Sequence, residues 1–200
     1  MSHTIVHLIR HGEVHNPGRI LYGTIPGYHL SPRGRSQAAR TARSFEDHDV
    51  TYLGVSPLQR AQETAEPFAE TLLLDVDTVD DIVEAGNRFE GLRTKGWRSQ
   101  LWNPVRWPLM VNPLVPSWGE AYADIAARMR GAVEQARRGA EGHEAILISH
   151  QLPIVMVQRD VLGLPLAHAS RQCDLASVTS LVFDGDQITD IFYTTPAKEI

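Results

Sequence analysis

Four side chains in this 200-residue sequence have the chemistry of an anion clamp: Arg10, His11, Arg60 and His150. A guanidinium presents a planar fork that matches phosphate oxygens bidentately. An imidazole near neutrality serves as nucleophile, donor or base. Arg10 and His11 close a β-branched segment, His150 closes an apolar one, and Arg60 falls in the first turn after a helix-start signal. In an open α/β sheet, ligands bind outside the carboxyl ends of the strands, and helix N-termini add free N–H groups and partial positive charge. Two arginines and two histidines meeting there form a cationic pocket sized for a phosphate. Singly, each has a plainer reading: Arg10 as a surface arginine, His150 as a structural histidine. Arg60 is the odd one, because a cation in a first helical turn opposes the macrodipole, and such local conflicts gather at functional sites.

A second histidine pattern points elsewhere. His3, His7, His11 and His15 recur at steps of four, which on a helix would align four metal ligands. The segment Thr4–Ile9 is β-branched and Gly12 follows it, so a strand is expected and the ladder falls apart. No metal site is expected from it, and neither an HExxH stretch nor an aspartate-rich calcium loop is present.

The elements that must position these residues are legible from periodicity and punctuation. A strand at Thr4–Ile9 runs into a loop marked by Pro17, Gly18, Gly23, Pro26 and Gly27. Ser31-Pro32 caps a helix continued by Ala38, Ala39, Ala42 and Phe45. A strand at Tyr52–Val55 leads to Ser56-Pro57-Leu58-Gln59, a capping-box pattern with proline at the first helical position. Leu58, Ala61, Ala65, Phe68 and Leu72 then mark an amphipathic helix that Pro67 should kink or shorten. Leu73–Val79 fits a strand. Ser117 with Glu120 is a second capping box, before a stripe of Tyr122, Ile125, Ala126, Met129, Val133 and Ala136. Ala145–Ser149 is a continuous apolar strand of the kind covered on both faces. Pro153–Leu162 reads as a helix stopped by Gly163, and Val178–Phe183 with Ile188–Tyr193 as a hairpin around Asp184-Gly185.

Alternating strands and helices predict an α/β fold, a three-layer α/β/α sandwich on a central mixed, mostly parallel sheet. One domain over residues 1–200 is expected, with an irregular excursion at about 97–118 that holds all four tryptophans and Pro104, Pro108, Pro113 and Pro116. Long loops of this kind are lids, binding loops or plain hydrophobic flaps. A net charge of −5 disfavours a general nucleic-acid or membrane-surface binder. One cysteine, Cys173, allows neither an internal disulfide nor a cysteine-based zinc site. The start of the sequence lacks a signal-peptide pattern and no apolar run is long enough to span a bilayer, so a cytoplasmic protein is expected.

Leu8-Ile9-Arg10-His11-Gly12-Glu13 resembles the RHG signature of the histidine phosphatase superfamily, the phosphoglycerate-mutase-like group. The resemblance extends along the chain. Tyr22-Gly23 and Leu30-Ser31-Pro32-Arg33-Gly34 with Gln37-Ala38 resemble its loop and first helix start. Ser56-Pro57-Leu58-Gln59-Arg60-Ala61 through Ala65 resembles its SPLxRAxQTA block. Glu84 with Phe89-Glu90-Gly91 resembles its acidic loop, and Ser149-His150-Gln151-Leu152-Pro153-Ile154 its second histidine block.

The resemblance implies a metal-independent phosphomonoester hydrolase that forms phosphohistidine on His11. Gly12 would supply the acceptor that holds the proton of the other ring nitrogen. Arg10, Arg60 and His150 would clamp the phosphoryl oxygens, and Glu84 would act as general acid and then base. Asn16, Gly23 and Gln151 would contact the substrate, a small phosphorylated metabolite, with no organic cofactor or metal. In the other branch of the superfamily an aspartate follows the second histidine; here Gln151 stands there, so the acid comes from elsewhere, with Glu13 the competitor of Glu84. The Glu84–Gly91 loop is a residue shorter than the common form, and Asn16 sits one residue closer to His11 than the family's asparagine. Arg88, Arg93 and Lys95 could meet a second acidic group or form a solvated face. Members of the group are often homodimers. The alternatives are a cofactor-dependent mutase, disfavoured by the broken match after Glu84; a non-catalytic phospho-ligand module on the same scaffold; and a metal-dependent hydrolase using the histidine ladder.

Overall fold

The computed structural model describes residues 3–94, 99–100, 119–167 and 172–200. Strand β1 (His3–Arg10) is followed by α1 (Pro32–Arg43), β2 (Val50–Val55), α2 (Gln59–Leu72), β3 (Asp77–Thr78) and a short 3-10 turn, Asp80–Ile82. Then come α3 (Tyr122–Gly139), β4 (Glu144–Ser149), α4 (Gln151–Val161), β5 (Val178–Asp184) and β6 (Gln187–Thr194). The strands form one six-stranded sheet in the order β3-β2-β4-β1-β5-β6. β3, β2, β4 and β1 run parallel, and β5 and β6 are antiparallel to their neighbours. This is the mixed, mostly parallel sheet expected from the sequence.

Alternation along the strands builds two cores. Val6 and Leu8 of β1, with Ala145 and Leu147 of β4, face α3 and α4. Ile9 of β1, with Ile146 and Ile148 of β4, faces Phe45 and the Ala61, Ala65 and Phe68 stripe of α2. β4 is buried over Ala145–Ser149 because both of its faces are covered.

Register delivers the polar residues. Arg10 pairs with Ser149, His11 N–H donates to the Ser149 carbonyl at 3.1 Å, and Ser56 N–H donates to the Ile148 carbonyl at 3.0 Å. The carboxyl ends of β1, β4 and β2 therefore stop at one level, with Arg10-His11, His150 and Ser56 emerging side by side.

Several elements depart from the sequence reading. Helix α2 begins at Gln59 with Leu58 as its N-cap, whose own side chain makes no cap bond; the Ser56 hydroxyl lies 2.7 Å from His150 and accepts only a long bond, 3.5 Å, from Leu58 N–H, and the Gln59 side-chain oxygen accepts from Gly27 N–H instead of closing the box. Pro67 lies inside α2 without ending it. The helix ends where Leu73 adopts a left-handed conformation (φ 55°), which leaves only Asp77–Thr78 of the expected 73–79 strand. Helix α4 starts at Gln151, two residues before Pro153; a proline in a first turn removes an N–H that has no intrahelical partner there. Phe45 lies in the turn beyond the α1 C-cap, Ser44. Helix α3 is entered through Ala121 without a side-chain cap; Ser117 lies outside the described residues, and Glu120 is bound to Arg128. Apart from Ser99 and Gln100, the 97–118 excursion also lies outside them.

Candidate active site

Arg10, His11, Asn16, Gly23, Glu84 and Gln151 line a cavity of about 520 Å³ at the carboxyl ends of β1 and β4. His11 is 2% exposed. Its Nδ1 donates to the Gly12 carbonyl at 2.8 Å; a carbonyl can only accept, so the proton sits on Nδ1 and Nε2 is bare. Gly12 is required for this geometry. A Cβ there would lie 2.5 Å from the Gly34 carbonyl oxygen at the start of α1, and Gly12 N–H donates to Thr64 Oγ1 of α2 at 3.1 Å.

Arg60 packs beneath the nucleophile candidate, 1% exposed. Its Nε donates to His11 Nε2 at 3.3 Å and its NH2 to the Gly23 carbonyl at 2.7 Å. The guanidinium lies 4.8 Å from the Tyr22 ring centroid, a cation–π contact. Thr64 donates to the Arg60 carbonyl at 2.7 Å, so one threonine holds both the Gly12 backbone and the Arg60 turn. Gly23 has φ +40°, and a Cβ on it would meet the Glu90 carboxylate, which accepts from Thr24 N–H and Oγ.

His150 is fully buried, with its ring centroid 5.2 Å from that of His11. Arg10 donates through NH1 to the Cys173 carbonyl at 2.6 Å, and the Gln151 amide donates to the same oxygen at 3.2 Å. Among the described residues, three buried side-chain polar atoms lack a hydrogen-bond partner: Arg10 Nε, His150 Nδ1 and Thr179 Oγ1. Two of the three belong to the candidate site. Buried donors are normally satisfied, so these two mark a place built for an acceptor.

Burial, then the charges of Arg60 and Arg10, hold His11 well below the usual imidazole range, against the opposing effect of the Gly12 carbonyl. Burial followed by Arg60, His11 and Arg10 does the same for His150. Both rings are neutral at pH 7. Burial also lowers Arg60, which stays protonated because guanidinium begins so high. Burial pushes the Cys173 thiol up to about 11, so it supplies no thiolate.

Glu84 lines the cavity, and its charge acts on both Arg60 and Tyr22. The segment before it is held by Arg128 of α3, whose NH1 donates to the Asp81 and Val83 carbonyls at 2.5 and 2.8 Å. The same guanidinium is gripped bidentately by Glu120. Glu13 is elsewhere: it accepts from Ser31 Oγ and Arg33 at the start of α1. Asn16 lines the cavity, but its amide makes two hydrogen bonds to the Ile20 backbone, closing the 16–20 loop. Arg88 and Arg93 are exposed and outside the cavity lining, and Lys95 lies outside the described residues. Arg19, which the sequence reading passed over, does line it. Tyr22, Ser56, Thr64 and Arg128 were also missed as supporting residues. The SPLxRAxQTA-like block carried a signal for Ser56 and Thr64, and the Tyr22-Gly23 match one for Tyr22; Arg128 had none.

An α/β sheet covered on both faces, with arginine and neutral histidine gathered at its carboxyl ends, has the setting in which doubly wound α/β proteins bind ligands. The chain belongs to the histidine phosphatase superfamily (branch 1), whose pattern matches residues 6–192. It is 49% identical over 196 residues to "Uncharacterized protein Rv0525" of Mycobacterium tuberculosis, covering 97% of each chain. It is 30% identical over 179 residues to "Probable phosphoglycerate mutase GpmB" of Yersinia enterocolitica, covering 85% of this chain and 80% of that one. Among solved structures, YhfR of Bacillus stearothermophilus superposes with a TM-score of 0.79 at 25% identity, over 92% of this chain and 94% of that one. Phosphoserine phosphatase of Entamoeba histolytica, solved with phosphoserine, shares the fold with a TM-score of 0.76 at 20% identity, over 98% and 99%. Among the described residues no helix is long and apolar enough to cross a membrane.

Proposed function

We propose that the protein hydrolyses small phosphomonoesters through a phosphohistidine on His11. The observation that carries this reading is the bare Nε2 of a neutral, buried His11 set among Arg10, Arg60 and His150, two of which keep an unpartnered buried donor. A phosphoryl group entering the cavity takes those donors and the Arg60 Nε that now rests on His11. Ser56 Oγ–H donating to His150 Nε2 leaves the His150 proton on Nδ1, aimed to be shared with a phosphoryl oxygen.

In the first step His11 Nε2 forms a bond to phosphorus while the ester P–O bond breaks. The Gly12 carbonyl stabilises the positive charge that develops on the ring, and protonated Glu84 gives its proton to the departing alkoxide. In the second step the Glu84 carboxylate takes a proton from water, whose oxygen attacks phosphorus as the N–P bond breaks. Inorganic phosphate leaves and Glu84 is protonated again. Arg10 and Arg60 neutralise the equatorial oxygens throughout, a contribution of about 10²–10³-fold in rate for each such donor.

Release of phosphate from a chromogenic ester, followed by a panel of phosphorylated metabolites, tests the reading. The panel includes phosphoserine and 3-phosphoglycerate, compounds suggested by the names of the relatives. The wild type is expected to release phosphate, and His11→Ala to lose at least about 10³-fold. Isomerisation of 3-phosphoglycerate with a bisphosphoglycerate primer, without free phosphate, would replace hydrolysis by mutase action. Activity lost on strong chelation would overturn the mechanism in favour of a metal-dependent one.

A further inference from the structure

The sheet carries a second polar cluster far from the cavity. His7 of β1, His48 of the α1–β2 turn and Glu144 at the start of β4 bring one ligand atom each to within 4.8 Å of one another. Strand parity explains the convergence. His7, Glu144 and Ser180 share the sheet face of Ile9, Ile146 and Val178, so their side chains turn towards α1 and α2. His7 Nε2 and His48 Nδ1 both approach the same carboxylate oxygen, Glu144 Oε2, at 2.8 and 2.7 Å.

The hydrogen bonds to Ser180 and Glu144 engage both nitrogens of His7. The position between Ile5 and Ile9 on a central strand suits an aliphatic side chain, and a buried ion pair seldom outperforms one. Two imidazoles converging on one oxygen are instead the donor set of a borderline transition metal, with His and carboxylate ligands. The two nitrogens lie 2.8 and 2.7 Å from the carboxylate oxygen, so a tetrahedral ion, which needs about 3.3 Å between ligand atoms for bonds of about 2.0–2.1 Å, would push them apart by about half an ångström, a shift the exposed His48 turn can supply.

The surroundings are equally specific. Ser180, directly opposite His7 in the β1–β5 ladder, lies with its Oγ 2.8 Å from His7 Nδ1. The Glu144 carboxylate can only accept, so His7 Nε2–H donates to it and Nδ1 takes the Ser180 hydroxyl proton; a metal replacing the Nε2 proton would turn that hydroxyl into the acceptor of an Nδ1–H. Phe45 packs against both imidazoles, with ring centroids 4.9 Å from His7 and 4.8 Å from His48. The His7 side chain is 6% exposed and that of His48 41%, so the cluster is anchored on the core side and open to solvent for a fourth ligand. It stands four residues before His11 on an extended strand, about 13 Å away.

We propose that His7, His48 and Glu144 form a binding site for a divalent transition metal of the zinc class, which pins the α1–β2 turn to the sheet and takes no part in turnover. The inference is independent of the phosphatase reading.

Zn²⁺ titration by calorimetry, with inorganic phosphate present to fill the catalytic cavity, tests it. One equivalent per chain is expected, with a rise in Tm. Co²⁺ should give the visible absorption of a four-coordinate site. His48→Gln, on the exposed turn, should abolish both signals while leaving phosphate release unchanged, and Glu144→Gln should abolish binding too. Ser180→Ala should weaken binding by about tenfold or more. Binding that survives His48→Gln, or that His11→Ala or phosphate removes, would overturn the proposal, as would the absence of Zn²⁺ uptake by the wild type.

Discussion

His11 and His150 are imidazoles that the fold holds neutral, and that has a consequence for stability as well as for nucleophilicity. Each binds a proton less readily in the folded protein than in the unfolded chain, where the ordinary value is about 6.5. Their contribution is therefore complete above that pH and is lost as the pH falls below it, because the unfolded chain takes up protons that the native state refuses. The slope is up to about 1.4 kcal/mol per pH unit for each histidine. Denaturant midpoints measured at pH 7.5, 6.5 and 5.5 should fall below 6.5, and His11→Gln should reduce the slope. A midpoint unchanged between pH 7.5 and 5.5 would show that the rings are not held neutral by burial. The clamp residues were legible in the sequence because arginine and histidine stand beside strand-ending and helix-starting signals. Ser56 was only half read, for a local reason: a serine before a proline has the form of a cap, and nothing nearby announces that a distant residue also uses its hydroxyl. Here His150, 94 positions later in the chain, claims it.

At the scale of elements, the site is a junction of strand ends held from behind by helices. Thr64 links α2 to both Gly12 and Arg60, and Arg128 links α3 to the carbonyls just before Glu84. Arg128 is a positioning residue in this arrangement. Arg128→Ala should lower kcat by about ten- to a hundredfold through displacement of the Glu84 carboxyl. The loss should be greater with an alkyl phosphate than with a chromogenic aryl ester, whose leaving group needs little protonation. Equal losses with both substrates would assign Arg128 to general stability instead. Arg128→Lys, which keeps the charge but not the fork, should recover only part of the rate. The helices and the long strands followed from apolar periodicity and from Gly and Pro punctuation. Their ends did not, because tertiary contacts set them. Leu73 ends α2 in a left-handed conformation that no glycine announces, and at the start of α2 the Ser56 hydroxyl is shared between a long bond from Leu58 N–H and a short contact with His150.

Across the whole molecule, net charge is −5, and the cavity at the carboxyl edge of the sheet is nevertheless lined by Arg10 and Arg19 with Arg60 buried against His11, so any pull on an anion there is local and not a property of the overall field. The same edge depends on residues far apart in the chain. The Cys173 carbonyl accepts from both Arg10 and Gln151, and β1 sits between β4 and β5. A chain ending at residue 172 should therefore lack both the anchor of Arg10 and one neighbour of its first strand. Limited proteolysis should find it open and phosphate release should be absent; a protease-resistant, active product would contradict this placement. During synthesis the first strand leaves the ribosome with both edges unsatisfied and must wait for more than 130 residues before its parallel neighbour β4 appears. The nascent chain carries that apolar strand unpaired until β4 has emerged, and a chaperone that shields exposed strands should raise the yield of folded protein.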